Sequence, residues 1–269
     1  MFNFFILLLL LICTSCTQKE TPHAAIETID NFQSLHSFVI PGEKTLIVFD
    51  IDNTLATPAQ SIGSDEWLSY QIKTKMAEGL SNIAALYLTL PLCYVVQFST
   101  PMVLTDQYIP TLCDWFTSNN IFSIALTARS LYLADRTIEQ LQNIGISFNL
   151  PANAPIDFYL PLTIPAIYKQ GIIFSADNDK GTALTYFLNH LNFYPDHIIF
   201  IDDKEHHVVH VCNAMKKIGI TCTGLRYSGC DKKVAAFDPE DAEQEMDAFI
   251  ATRLVRHSLK SKGAKATTA

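Results

Sequence analysis

Two stretches of the chain carry an unbroken apolar pattern that stops on a pair of acids. The first, Thr45 to Phe49 (TLIVF), runs into Asp50 and Asp52, with Asn53 and Thr54 beside them. The second, His197 to Ile201 (HIIFI), ends in Asp202 and Asp203. A run without polar alternation needs cover on both faces, so each predicts a strand inside a parallel sheet. A third apolar stretch, 121–126, predicts another strand and ends in Thr127. Elsewhere the period changes to that of a helix. Leu184, Phe187, Leu188 and Leu191 recur at helical spacing behind Lys180, and 131–143 reads as a helix stopped by Gly145. Buried strands alternating with amphipathic helices make an α/β domain with a mainly parallel sheet.

The segments between these elements predict additions to the core. About 70 residues separate the first strand from Thr127, more than one crossover helix needs. Ser64 is placed to cap a helix carrying Trp67, Tyr70 and Met76, and a second helical segment from Ser81 is expected to stop near Pro91. Residues 59–103 therefore read as a small helical cap, and 106–117 as a helix of the core. Trp67 and Tyr70 suit either core packing or cover over a substrate, packing being the plainer reading. Between Gly145 and Lys180 four prolines punctuate short β-prone pieces, which read as a second, irregular insertion over 146–175 or a strand hairpin. Residues 17–43 read as a tether and helix closed by Pro41 and Gly42. Asp238, Pro239 and Glu240 start a last helix. The domain is expected to span 44–258, with 259–269 disordered.

Composition narrows the function classes. The chain is 49% apolar, enough for one sizeable core, and its net charge is −8 with no basic stripe interleaved with aromatics. Nucleic acid is thus not the expected partner; phosphorylated small molecules stay open, because a local cation can offset their charge. Residues 1–18 have no charged side chain, and Phe2 to Ile12 is apolar apart from Asn3. That run is shorter than the roughly 20 residues that span a bilayer and fits a secretory signal. Thr14 and Ser15 before Cys16 resemble a bacterial lipobox, in which the cysteine becomes the lipidated N-terminus. The expected location is the bacterial cell envelope, lipid-anchored and facing the periplasm, with secretion as the alternative. Beyond Cys13 and Cys16, five cysteines remain. They have neither a disulfide-framework count nor zinc-site spacing, so buried thiols are expected, Cys222–Cys230 being a candidate bridge.

The strand-end acids carry the chemistry. Two carboxylates this close repel, so a cation or a shifted pKa is expected. A carboxylate can attack phosphorus to give an acyl-phosphate, provided a second group protonates the leaving alcohol and positive charge offsets the phosphoryl oxygens. Mg²⁺ is the cation suited to such oxygen ligands. The ordered set Asp50-x-Asp52-x-Thr54, Thr127, Lys180 and Asp202-Asp203 resembles the four motifs of the haloacid dehalogenase (HAD) superfamily, on its phosphatase side. The spelling is also similar to HAD-like bacterial envelope proteins and to lipoprotein acid phosphatases. The resemblance implies a three-layer α/β/α core with a helical cap, and Mg²⁺-dependent hydrolysis of phosphate monoesters. Asp50 would be nucleophile and metal ligand. Asp52 would be general acid/base and give the metal its carbonyl, Thr127 would bind the phosphoryl group, and Lys180 would neutralise charge.

Asn53 and Arg129 join Thr127 as substrate-binding candidates, a surface salt bridge being the other reading of Arg129. Asp202 or Asp203 would complete the metal site. Neighbouring strand residues face opposite ways, so only one can point squarely at the cation, and the resemblance favours Asp203. His206, His207 and His210 lack a recognised metal-binding arrangement and are expected to belong to an ordinary helix. Two other activities stay open: a non-catalytic envelope binding protein that keeps the metal site, and a phosphotransferase.

Overall fold

The computed structural model describes the backbone of residues 25–151 and 154–266, and side chains as far as Arg253. Residues 1–16, expected to be a leader ending at Cys16, lie outside the described residues.

The three apolar runs form the middle of one eight-stranded sheet. Its strands are β1 (Ala25–Ile29), β2 (Thr45–Phe49), β5 (Phe122–Thr127), β6 (Asp157–Leu160), β7 (Ala166–Lys169), β8 (Ile172–Phe174), β9 (His197–Asp202) and β10 (Thr221–Tyr227). Their order is β1-β10-β9-β2-β5-β8-β7-β6, parallel from β1 through β8 and antiparallel over β8-β7-β6. Every residue of β2 is buried. Alternate side chains feed two separate cores. Ile47, Phe49, Ile199 and Ile201 pack with Phe32, Leu112, Phe116 and Leu141, whereas Leu46, Val48, Ile198 and Phe200 pack with Leu184, Phe187, Val208 and Met215. Helices α3 (Ile109–Ser118) and α4 (Ala134–Asn143) cover one face; α5 (Lys180–Leu191) and α6 (Glu205–Lys217) cover the other. The result is a three-layer α/β/α fold. Gly224 lets α6 lie close on β10, because a Cβ there would collide with Val208.

The insertion after β2 leaves the core through a two-stranded stalk, β3 (Ala56–Pro58) against β4 (Met102–Leu104), and carries α1 (Asp65–Ala77) and α2 (Asn82–Ser99). Ser64 caps α1 by accepting from Trp67 N, and Ser81 caps α2 by accepting from Ala84 N. Trp67 packs with Ile62, Cys93, Val96 and Ala242, and Tyr70 bonds Glu243, so neither lies over the strand ends. α2 does not stop at Pro91. It continues to Ser99, because Pro91 and Tyr87, whose carbonyl loses its helical donor, both stand on the exposed side. α2 has a mean hydropathy of 1.4 and is long and apolar enough to cross a membrane, yet one stripe of it packs in the cap.

Three other expectations change and one alternative is decided. Residues 25–29 are the edge strand β1 beside β10, and the following turn, Phe32–Ser37, is 3-10 rather than a tether helix. The pieces within 146–175 take the strand-hairpin alternative, β6 against β7 and β7 against β8, and join the main sheet where β8 pairs with β5. After α7 (Asp231–Ala235), the last helix, α8 (Pro239–Ala266), runs through most of the stretch expected to be disordered, consistent with its alanines and lysines. Cys212 of α6 is bridged to Cys222 of β10, at a Cα separation of 5.3 Å, while Cys93, Cys113 and Cys230 are buried free thiols.

Candidate active site

β2 is the point where the strand order reverses: the chain adds β5 and β8 on one side, then returns to β9 on the other. Open α/β sheets keep their ligand crevice at this point, outside the carboxyl ends of the strands. Asp50, Thr127 and Asp202 occupy those ends. The N-terminus of α5 brings Lys180 to the same place. Its buried ammonium donates to Asp50 Oδ1 at 2.6 Å and to Asp202 Oδ2 at 2.7 Å. Burial opposes its charge, but Asp202 and Asp50 more than compensate, and its pKa is raised.

Asp202 and Asp203 have contrasting surroundings. Asp202 is fully buried and saturated, receiving Lys180, the backbone N–H of Lys204 at 2.8 Å, and His207 Nδ1 at 3.1 Å. Burial would raise its pKa, but Lys180 and His207 hold it below the usual carboxylate range. Asp203 has a buried Oδ1 with no partner. Burial and the nearby charge of Asp50 push its pKa up to about 9. Asp50 is raised to about 6, first by burial, with Lys180 opposing and Asp202 and Asp52 reinforcing. Asp50, Asp202 and Asp203 bring one carboxylate oxygen each within 4.8 Å of one another. An all-oxygen cluster with an orphaned buried acceptor fits a hard divalent cation.

Asp52 turns away from this cluster. Arg129 grips it with two bonds, Nε to Oδ2 at 2.8 Å and Nη2 to Oδ1 at 2.7 Å. Burial pulls the Asp52 pKa up, the guanidinium pulls it down, and the net shift is downward. The remaining Arg129 donor, Nη1, is used by Thr137 and Gln140. Arg129 is therefore neither a surface salt bridge nor a free substrate ligand; it is a buried clamp on Asp52. Gln140 extends the clamp to the cap, donating to the carbonyls of Gln97 and Thr100 where α2 ends. Asn53, also expected at the substrate, has a left-handed φ of 58° and donates to Glu66 of α1 at 2.8 Å. It ties the strand-end loop to the cap instead. Thr127 lines the cavity, and its hydroxyl accepts from Arg129 N at 3.1 Å.

Asp50, Asp52, Thr127, Arg129 and Lys180 form the floor of a cavity of about 460 Å³ whose roof is α1 and α2; Asn53, Asp202 and Asp203 lie outside its lining. Lys204, Asp65 and His207 are among the polar residues there to which the sequence assigned no site role. Lys204 pairs with Asp65, and His207 faces Asp202. Lys204 directly follows the Asp-Asp pair, which is a signal of a kind. Asp65 offers none beyond being the first residue after its cap. His206 and His210 stay outside any convergent ligand group among the described residues.

The family described as "Protein of unknown function (DUF2608)" matches residues 26–255, which takes in both the core and the cap. The chain belongs to the DUF2608 family. Among its relatives, a protein of Chlamydia muridarum named "Putative outer membrane protein" is 24% identical over 263 residues, covering 95% of this chain and 98% of that one. One of the same name from Chlamydia trachomatis serovar D is 27% identical over 182 residues, 68% of each chain. Among solved structures, one named as a putative beta-phosphoglucomutase from Thermotoga maritima is similar at 12% identity, with a TM-score of 0.37 over 68% of this chain and 86% of that one.

Proposed function

We propose that this DUF2608 protein is a HAD-type phosphatase that hydrolyses phosphate monoesters through an aspartyl-phosphate on Asp50. The observation that carries the reading is the floor: Lys180 bridges Asp50 and Asp202, while Asp203 keeps a buried oxygen without a partner. A buried acceptor without a protein partner, beside two other carboxylates, supports a cation there. Asp50 and Asp203 would hold Mg²⁺, Asp202 serving Lys180 and His207 instead. Bound there, Mg²⁺ would act as a Lewis acid on the phosphoryl oxygens.

Lys180 keeps Asp50 aligned and offsets charge on the transferring group, and Thr127 offers its hydroxyl to a phosphoryl oxygen. Attack by Asp50 forms the Asp50–phosphorus bond as the ester oxygen leaves; water later cleaves the acyl-phosphate. Asp52, ionised in the grip of Arg129, is ready to accept a proton from that water. To protonate the leaving alcohol in the first step it must carry a proton, which requires Arg129 to release it. The names of the relatives and the apolar leader support an envelope location, with Cys16 as the proposed lipid anchor.

Turnover of p-nitrophenyl phosphate by the full-length protein, with Mg²⁺ and with EDTA, tests the proposal. Mg²⁺-dependent release is expected. Its absence from folded protein that still binds Mg²⁺ would leave the non-catalytic binding reading, which the clamped Asp52 favours.

A further inference from the structure

The cavity floor and its roof differ in a way that bears on the substrate. The charged side chains of the floor are largely spent on one another, Lys180 on Asp50 and Asp202, Arg129 on Asp52, and Lys204 on Asp65, and His207 faces Asp202. Asp177 at the edge is a further acid. The roof offers Leu68 and Ile72 from α1 and Leu86, Leu90 and Tyr94 from α2, with Leu131 opposite. Its amide, Gln97, already donates to the Gly63 carbonyl. The other uncharged polar groups of the lining, Ser69, Ser130 and the tyrosine hydroxyls, are few against the hydroxyls of a sugar or nucleoside, which would give up water for them. An apolar chain would gain burial against every one of these side chains.

The mouth points the same way. Tyr87 and Tyr132 line the cavity and are also 68% and 77% exposed, and the Tyr94 and Tyr132 rings lie 6.2 Å apart. The α2 sequence has no charged residue; Ile83, one turn before Tyr87 on the same face, is exposed, as are Leu88 and Leu92. A chain longer than the cavity therefore emerges beside the exposed Tyr87 and Ile83, with Asp177 the acid at the edge.

We propose that the ester group of the substrate is a hydrocarbon chain: the site takes an amphiphilic phosphate monoester, phosphate on the floor and an alkyl or acyl chain under α1 and α2. This rests on the phosphatase reading of the floor. The full-length protein, held in nanodiscs with empty nanodiscs as blank, is assayed on ethyl, butyl, hexyl and octyl phosphate, whose leaving groups are chemically alike. With Mg²⁺, kcat/KM should rise about two- to fourfold per methylene while the chain is still entering the cavity. Octyl phosphate should exceed glycerol 3-phosphate, and Leu90→Asp should collapse the octyl-to-ethyl ratio towards one. A flat series, or preference for the glycerol ester, overturns the proposal. Binding of ethyl- and octylphosphonate, which cannot be hydrolysed, is read by calorimetry. Tighter octyl binding by at least about tenfold, lost in Leu90→Asp, upholds the cavity assignment even if no ester is cleaved, in which case the phosphatase reading alone fails. Equal binding of the two phosphonates overturns the cavity assignment whatever the catalytic result.

Discussion

The floor and the roof of the cavity share a wall but are held together by different forces. On the floor and just behind it, Asp50, Asp52, Asp202 and Asp203 crowd the ends of parallel strands; Lys180 answers Asp50 and Asp202, Arg129 answers Asp52, and Asp203 keeps an oxygen without a protein partner. In the roof, α1 and α2 meet through a stripe of Ala85, Thr89, Cys93 and Val96, with no ion pair between them among the described residues. The contrast teaches where precision resides. Removing one charge from the floor leaves another stranded in low dielectric, whereas roof contacts are non-directional and tolerate exchange. Loss of a charge should therefore hit the floor hard and locally, and exchange of one apolar side chain for another should touch the roof softly.

The largest effect should come from Asp50→Asn. An amide is a poor nucleophile, so turnover should fall about a thousandfold or more with the fold intact by circular dichroism. Activity within tenfold of wild type would remove Asp50 as nucleophile.

Next comes Arg129→Met, which strands Asp52 and should cost about 3–5 kcal/mol in urea unfolding at neutral pH. The pH dependence has a definite sign. The folded-state pKa of Asp52 is lowered, so its pairing contributes stability above the ordinary carboxylate range and loses it as pH falls through the folded value. The gap between wild type and Arg129→Met should thus be widest near neutrality and narrow in acid. A gap independent of pH would mean that packing, not the ion pair, is what Arg129 supplies.

The same contrast explains what could be read from the sequence. β2, β5, α5 and β9 were legible because full burial leaves unbroken apolar runs and helical burial leaves a period. The caps at Ser64 and Ser81 were legible because capping is local. The partners of the acids were not. Arg129 and Asp52 lie 77 residues apart, and nothing near either names the other. Asn53 sits in a motif loop but turns towards Glu66, a choice made by a helix that comes later in the chain. β1 was missed because an edge strand of five residues, with Ile26 exposed and Ile29 buried, lacks the apolar run of a central one. Pro91 misled for a related reason: a proline breaks a helix only where the lost hydrogen bond matters, and here it faces solvent.

A smaller effect separates the two acids of the fourth motif. If Asp203 holds the cation, Asp203→Ala should raise the Mg²⁺ concentration for half-maximal rate by more than about a hundredfold, beyond the roughly ten- to hundredfold that losing a supporting partner can cost, with Asp202→Ala changing it less. Asp202→Ala should instead lower the rate and the stability, because Lys180 and His207 lose their shared acceptor. Equal Mg²⁺ demand in both variants would mean that this pair does not build the metal site.

The smallest effect belongs to the outer face of the roof. Leu88 is 61% exposed, whereas its neighbour Thr89 is buried and bonded to the Ala85 carbonyl. If the apolar side chains outside α2 contribute nothing to the core, Leu88→Glu should shift unfolding free energy by no more than about 0.5 kcal/mol. Thr89→Glu, one residue away, would bury a charge against Cys93 and Val96 and should be severely destabilising. Urea denaturation of the two variants in parallel measures the difference between faces of a single helix. A large loss in Leu88→Glu would show that α2 is core on both sides, and the distinction between a charge-held floor and a loosely specified roof would then fail at its simplest point.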